Sequence, residues 1–188
     1  LDVDGALAMA TEVIRDGVNT NFPVQVTIAV AFGCPFEGEV DLSRLMDTAQ
    51  RLADAGPVEL ALADTIGVAV PTQVREAFTQ LKSELGKLPL RAHFHDTRNT
   101  GIANAYASLL AGVSVLDASI GGIGGCPFAP NASGNIATED LVYMLDRSGI
   151  DHGVDLAGLL DTATWLQQAL AKPLPSMLLK AGVFPPEV

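Results

Sequence analysis

Four short runs of β-branched and aliphatic residues, beginning near residues 24, 58, 90 and 113, alternate with segments whose apolar positions recur at helical spacing. No other feature restricts the chain as much. Strands separated by crossover helices build a parallel sheet with right-handed connections, so the pattern predicts an α/β fold. Strands are expected over 24–32, 58–63, 90–96 and 113–120, each closed by a glycine- or proline-containing loop.

The helices between them carry their own start and stop signals. Apolar residues over 6–14 predict an opening helix that ends at Gly17, with no strand before it. Asp41 reads as the N-cap of a helix whose buried face is Leu42, Leu45, Met46, Ala49, Leu52 and Ala53. Pro71 sits near the start of the next, with Val74, Ala77, Phe78, Leu81 and Leu85 on one face and Gly86 as its stop. Further helices are expected over 102–110, from about Thr138, and after Asp155, where Leu159, Leu160, Ala163, Leu166 and Leu170 are expected to pack into the core with Trp165 at the edge. No internal repeat, low-complexity stretch or linker divides the chain.

A chain of 188 residues suits one domain or part of a larger one. Its composition, 48% hydrophobic and 18% charged, is globular and apolar enough to suggest a subunit interface or missing partner surface. The net charge is −11, and the 11 basic residues form no cluster, which argues against nucleic acid and anionic membrane as partners. No apolar run approaches the roughly 20 residues of a membrane span, and the amino end lacks a signal or transit pattern, so a cytoplasmic location is expected. Cys34 and Cys126, each in a Gly-Cys-Pro-Phe turn, read as free thiols.

The sharpest chemistry lies in Ala92-His93-Phe94-His95-Asp96. Alternation along a strand sends His93 and His95 to one face and Phe94 and Asp96 to the other. Two imidazoles on one face make half of a divalent-metal site or a hydrogen-bonded pair of half-buried histidines. Parallel α/β folds bind ligands at the carboxyl ends of their strands, and Cys34, Asp64, the histidine pair, Cys126 and Asn135 all fall there. Each keeps a bland alternative: Asp64 as a turn cap before Pro71, Asn135 as a turn residue, Cys34 as structural packing. His152 reads as a solvated surface histidine.

The loop Gly121-Gly122-Ile123-Gly124-Gly125-Cys126-Pro127-Phe128 can cradle an anion or act as a lid. It is not a nucleotide loop, because Pro127 stands at the third glycine of the dinucleotide fingerprint and no Gly-Lys-Ser/Thr follows.

Taken in series, Gly33-Cys34-Pro35-Phe36-Glu37-Gly38, Asp64-Thr65-Ile66-Gly67, Ala92-His93-Phe94-His95-Asp96-Thr97, Gly124-Gly125-Cys126-Pro127-Phe128-Ala129, Ser133-Gly134-Asn135 and Ala137-Thr138-Glu139-Asp140 resemble the 3-hydroxy-3-methylglutaryl-CoA lyase family. The likeness runs from Val26 to the Lys172-Pro173-Leu174-Pro175 tail. It implies a (β/α)₈ TIM barrel, of which the four readable strands and the helices that follow are the carboxyl-terminal portion of a single catalytic domain over 1–188, with the amino-terminal strands absent. The Arg-Asp-Gly segment whose aspartate completes the family's metal site has no counterpart here, since Asp4-Gly5 precedes a helix and lacks the arginine.

The resemblance further implies a metal-assisted retro-Claisen cleavage of 3-hydroxy-3-methylglutaryl-CoA to acetyl-CoA and acetoacetate. A Mg²⁺ or Mn²⁺ ion is expected on His93, His95 and Asn135, with Asp64 and His93 as candidates for the base, Cys126 as the acid, and Gly124, Gly125 and Cys34 as substrate-loop residues. Asn99 and Asn131 stand where related lyases have glycine, which is expected to stiffen or reshape the loops around the acyl group. A small acyl-CoA is the expected partner, in a homodimer or larger homo-oligomer. The alternatives are a Claisen-type synthase or aldolase using the same metal, and a half-barrel fragment that only binds.

Overall fold

The computed structural model describes residues 2–125 and 134–185. Helix α1 (Val3–Asn19) opens the chain and leads into β1 (Gln25–Ile28); a small antiparallel hairpin, β2 (Gly33–Cys34) with β3 (Gly38–Glu39), follows. Then come α2 (Leu42–Ala53), β4 (Glu59–Asp64), α3 (Pro71–Leu85), β5 (Leu90–Phe94), α4 (Gly101–Leu110) and β6 (Val115–Asp117). A 3₁₀ turn over Ile120–Gly122, α5 (Thr138–Arg147), α6 (Leu156–Ala169) and the one-turn α7 (Leu178–Ala181) complete it.

Strands β1, β4, β5 and β6 form a four-stranded parallel sheet in that order, with Ala63 paired to His93 and His93 to Asp117. Consecutive strands are neighbours, and each crossover helix returns over one face, as βαβ units require. That face is sealed: Leu60, Leu62, Leu90, Ala92 and Phe94 point into it and meet Val74, Phe78 and Leu81 of α3 and Ala105 of α4, all almost fully buried. Each large side chain among them contributes roughly 1.5–3 kcal/mol by leaving water. The opposite face carries Gln25 and Thr27, exposed, and Glu59, Arg91, His93 and Asp117, a polar set.

The caps act where the sequence predicts. Asp41 accepts the Ser43 amide at 2.8 Å to start α2, and Pro71 is the first residue of α3. Five expectations need correction. Helix α1 is longer than 6–14, because Asp2 caps it by accepting the Gly5 amide at 2.8 Å, and Asp4-Gly5 therefore lies inside the helix. The strands expected over 24–32 and 113–120 shrink to four and three residues. The first stops where Val30 takes a left-handed φ of 50°, and the second stops short of Gly121 at φ 67°. Helix α6 buries only Ala163 completely: Leu159, Leu160 and Leu166 are half-buried, and Leu170 and Trp165 are exposed, so its apolar face only partly enters the core. His152 is not freely solvated: its ring bonds Asp146 at 2.9 Å and accepts the Val154 amide, which folds the α5–α6 turn upon itself.

Asn99 adopts φ 56°. The position needs a left-handed backbone, which asparagine tolerates better than other non-glycine residues, so it preserves the loop that glycine would make. Asn131 and the catalytic candidate Cys126 lie outside the described residues. Among the described residues no helix is long and apolar enough to cross a membrane.

Candidate active site

His93 belongs to the polar face of β5, and His95 stands just beyond the strand, where the chain meets the segment that follows the glycine-rich loop. His95 and Asn135 form an isolated antiparallel bridge. The Ile136 amide donates to the Phe94 carbonyl at 3.2 Å, and the Asp96 amide donates to the Gly134 carbonyl at 3.0 Å. Gly134 makes this approach possible: at φ 113°, a Cβ there would sit 2.4 Å from the Gly124 carbonyl oxygen and 2.7 Å from that of Gly122. Gly124 packs as closely on Asn135, since a Cβ on it would lie 2.6 Å from Nδ2. Gly125 is exposed.

Asn135 is oriented by one bond, from its Nδ2 to the Ile123 carbonyl at 2.9 Å. Among the described residues that bond leaves Oδ1 buried with no partner, and His95 Nδ1 is likewise buried and unpartnered. An unmatched buried polar atom costs about 1–3 kcal/mol, so two of them on bridged residues are suited to a ligand. The His93 ring stands edge-on to that of His95, centroids 5.3 Å apart. Burial lowers the pKa of both imidazoles; nearby Asp117 and Asp64 charges pull His93 partly back, while His93 pushes His95 further down. Both rings are therefore neutral near pH 7, with lone pairs available. Two neutral imidazoles and an amide oxygen fit a divalent ion that keeps positions open for substrate.

No group of three His, Cys, Asp or Glu residues suited to a metal occurs among the described residues; the third donor here is an amide. Asp64 is 1% exposed, and its two oxygens accept the amides of Val68 at 2.9 Å and Ala69 at 3.0 Å. It thus holds the turn into α3, the bland role open to it, yet each oxygen retains a second lone pair. Burial raises its pKa above the ordinary aspartate value, with the turn amides opposing. Arg98 donates to the carbonyls of Ile66 and Gly67 and anchors the same turn to the loop after β5. Cys34 is half-buried in the β2–β3 hairpin, lining a small cavity of about 140 Å³ with Ile28, Val30 and Arg44.

Sequence reasoning passed over a chain of charged residues on the polar face. Glu59 bonds Arg91 Nε at 2.7 Å, Arg91 bonds Asp117 Oδ1, and Asp117 Oδ2 lies 3.7 Å from His93 Nδ1. Charged residues at inward positions of otherwise apolar strands were the available signal. Also unassigned was Glu139, which is fully buried and accepts the Gly121 amide with both oxygens, at 2.9 and 3.0 Å.

The HMGL-like family model matches residues 2–166. The chain belongs to the HMGL-like family. Its relatives include the (R)-citramalyl-CoA lyase of Chloroflexus aurantiacus, 44% identical over 179 residues and covering 95% of this chain and 55% of that protein. The hydroxymethylglutaryl-CoA lyase of Bacillus subtilis is 40% identical over 171 residues, covering 91% of this chain and 57% of that protein. Among solved structures, an HMG-CoA lyase from Acinetobacter baumannii in complex with coenzyme A and 3-methylmalate matches all of this chain and 61% of its own, with TM-score 0.93 and 36% identity. This HMGL-like chain therefore spans little more than half the length of the curated relatives it matches. Its parallel sheet and crossovers are part of the family's TIM barrel.

Proposed function

We propose that the protein carrying this chain is a metal-dependent acyl-CoA lyase that cleaves 3-hydroxy-3-methylglutaryl-CoA to acetyl-CoA and acetoacetate. The observation that carries the reading is the pair of buried polar atoms, His95 Nδ1 and Asn135 Oδ1, unpartnered among the described residues and bridged beside His93 at the carboxyl end of the sheet. The lyases named among its relatives support the same chemistry. We read 1–188 as the carboxyl-terminal portion of one barrel domain, in a cytoplasmic homodimer or larger oligomer; the exposed Trp165 and Leu170 side chains are consistent with further partner surface.

His93, His95 and Asn135 would hold Mg²⁺ or Mn²⁺, which when bound polarises the substrate hydroxyl and fixes its carboxylate. Asp64 is the base in this reading. Its raised pKa makes it a better proton acceptor than an ordinary aspartate, and the Val68 and Ala69 amides fix where it sits. Loss of the hydroxyl proton lets the oxygen form a carbonyl while the bond between C2 and C3 breaks. The electron pair moves into the thioester as an enolate. Cys126, in the sequence between Gly124 and Gly134, is the proposed acid that protonates the enolate carbon. His93 is the alternative proton acceptor, and a poor one while it serves as a ligand.

A second reading has its own support in the 44% identity to a citramalyl-CoA lyase, whose named substrate would undergo the same bond cleavage but release pyruvate. Incubating the full-length protein with Mg²⁺ and both thioesters separates the readings. Acetoacetate from hydroxymethylglutaryl-CoA, lost in Cys126→Ala, is the expected result. Turnover of citramalyl-CoA alone would establish the second reading, and turnover of neither would remove both.

A further inference from the structure

The charged chain across the polar face ends at a proposed metal ligand, and its geometry gives each member a different task. Asp117 sits directly opposite His93 in the β5–β6 register, so both side chains rise from the same level of the same face. One Asp117 oxygen is taken by Arg91, and Arg91 is itself fixed by Glu59, only 9% exposed at its side chain. The aspartate is therefore held from behind, and its free oxygen, Oδ2, faces His93 Nδ1 at 3.7 Å.

We propose that Asp117 is a positioning residue for His93: it fixes the imidazole in the tautomer protonated at Nδ1, which leaves the Nε2 lone pair free for a divalent cation. The inference rests on the metal-binding reading above but not on the identity of the substrate.

Two physical points carry it. A ligating histidine that donates its second ring N–H to a carboxylate is locked in both tautomer and orientation, and removing such a partner weakens metal affinity about 10- to 100-fold. A separation of 3.7 Å is longer than a hydrogen bond, but bonds of this kind are often long before ligand binds and tighten on complex formation. Arg91 explains why Asp117 does not simply turn to solvent. It also compensates the charge of a carboxylate whose side chain is only 36% exposed.

The rival account is that Asp117 serves only the ion pair with Arg91. Nitrogen-15 NMR of the histidines in the metal-free, full-length protein distinguishes the two without any assay of turnover. His93 protonated at Nδ1 is expected, and a resting Nε2–H tautomer would overturn the proposal, whether or not Asp117→Asn folds. In folded Asp117→Asn the tautomers should mix and Mn²⁺ affinity, by titration calorimetry, should fall about 10- to 100-fold. In Glu59→Gln, which keeps an acceptor for Arg91, both readouts should match the unsubstituted protein. Unchanged Mn²⁺ affinity in folded Asp117→Asn, or an equal loss in Glu59→Gln, would show a structural ion pair and overturn the proposal. Failure of the lyase reading would appear separately, as correct tautomer and metal affinity without cleavage of either thioester.

Discussion

Asn135 and His95 face each other across a single antiparallel bridge, and each keeps a buried side-chain polar atom that no described group satisfies. The bridge depends on backbone contact that a methyl group would prevent. At Gly134 a Cβ would press on two carbonyl oxygens at 2.4 and 2.7 Å, and the φ of 113° is strained for any L side chain. Gly134→Ala should therefore destabilise the fold by about 1–3 kcal/mol and, by displacing Asn135, weaken Mn²⁺ binding. Urea denaturation and calorimetry check the two effects. A variant with native stability and native affinity would show that the bridge does not position the ligand.

The histidines give a pH dependence of definite sign. Metal binds the neutral ring, and burial lowers both pKa values, so protons compete only below the ordinary imidazole range near about 6.5. Mn²⁺ affinity should be flat from about pH 8 to 7 and fall on further acidification. A decline already complete above pH 7 would mean the rings are not shielded as described.

Glu139 sets the opposite trend in stability. Burial raises its folded pKa, with the Gly121 amide opposing the rise. A carboxylate whose folded pKa is raised contributes stability that is fully present below its unfolded value, about 4.5, and lost as pH climbs through the folded value. Glu139→Gln keeps an acceptor for Gly121 and removes the titration. Its unfolding free energy should vary less with pH above about 4.5 than that of the unsubstituted protein; a steeper profile would reverse the assignment.

Where local chemistry decides structure, the sequence was sufficient. Asp41 and Pro71 start their helices as predicted, and the parallel sheet follows from the alternation of strands and helices. His93 and His95 fell together because a strand repeats every two residues. Distant or backbone-driven features were harder to see. The turn at Val30 depends on its amide reaching Thr65 Oγ1 and on the next amide reaching the Ala63 carbonyl, partners more than thirty positions away. Asp117 and His93 meet only through strand register, which no local pattern states. The apolar stripe on α6 was read as core because periodicity shows which face is apolar but not what covers it.

His93, His95 and Asn135 are proposed to form one cation site. Titrating Mn²⁺ into the full-length protein, Asn135→Ala and His95→Ala, with folding verified by circular dichroism, tests it most directly. One site per chain is expected in the unsubstituted protein and at least about tenfold weaker binding in each variant. Equal affinity in all three folded proteins would contradict it.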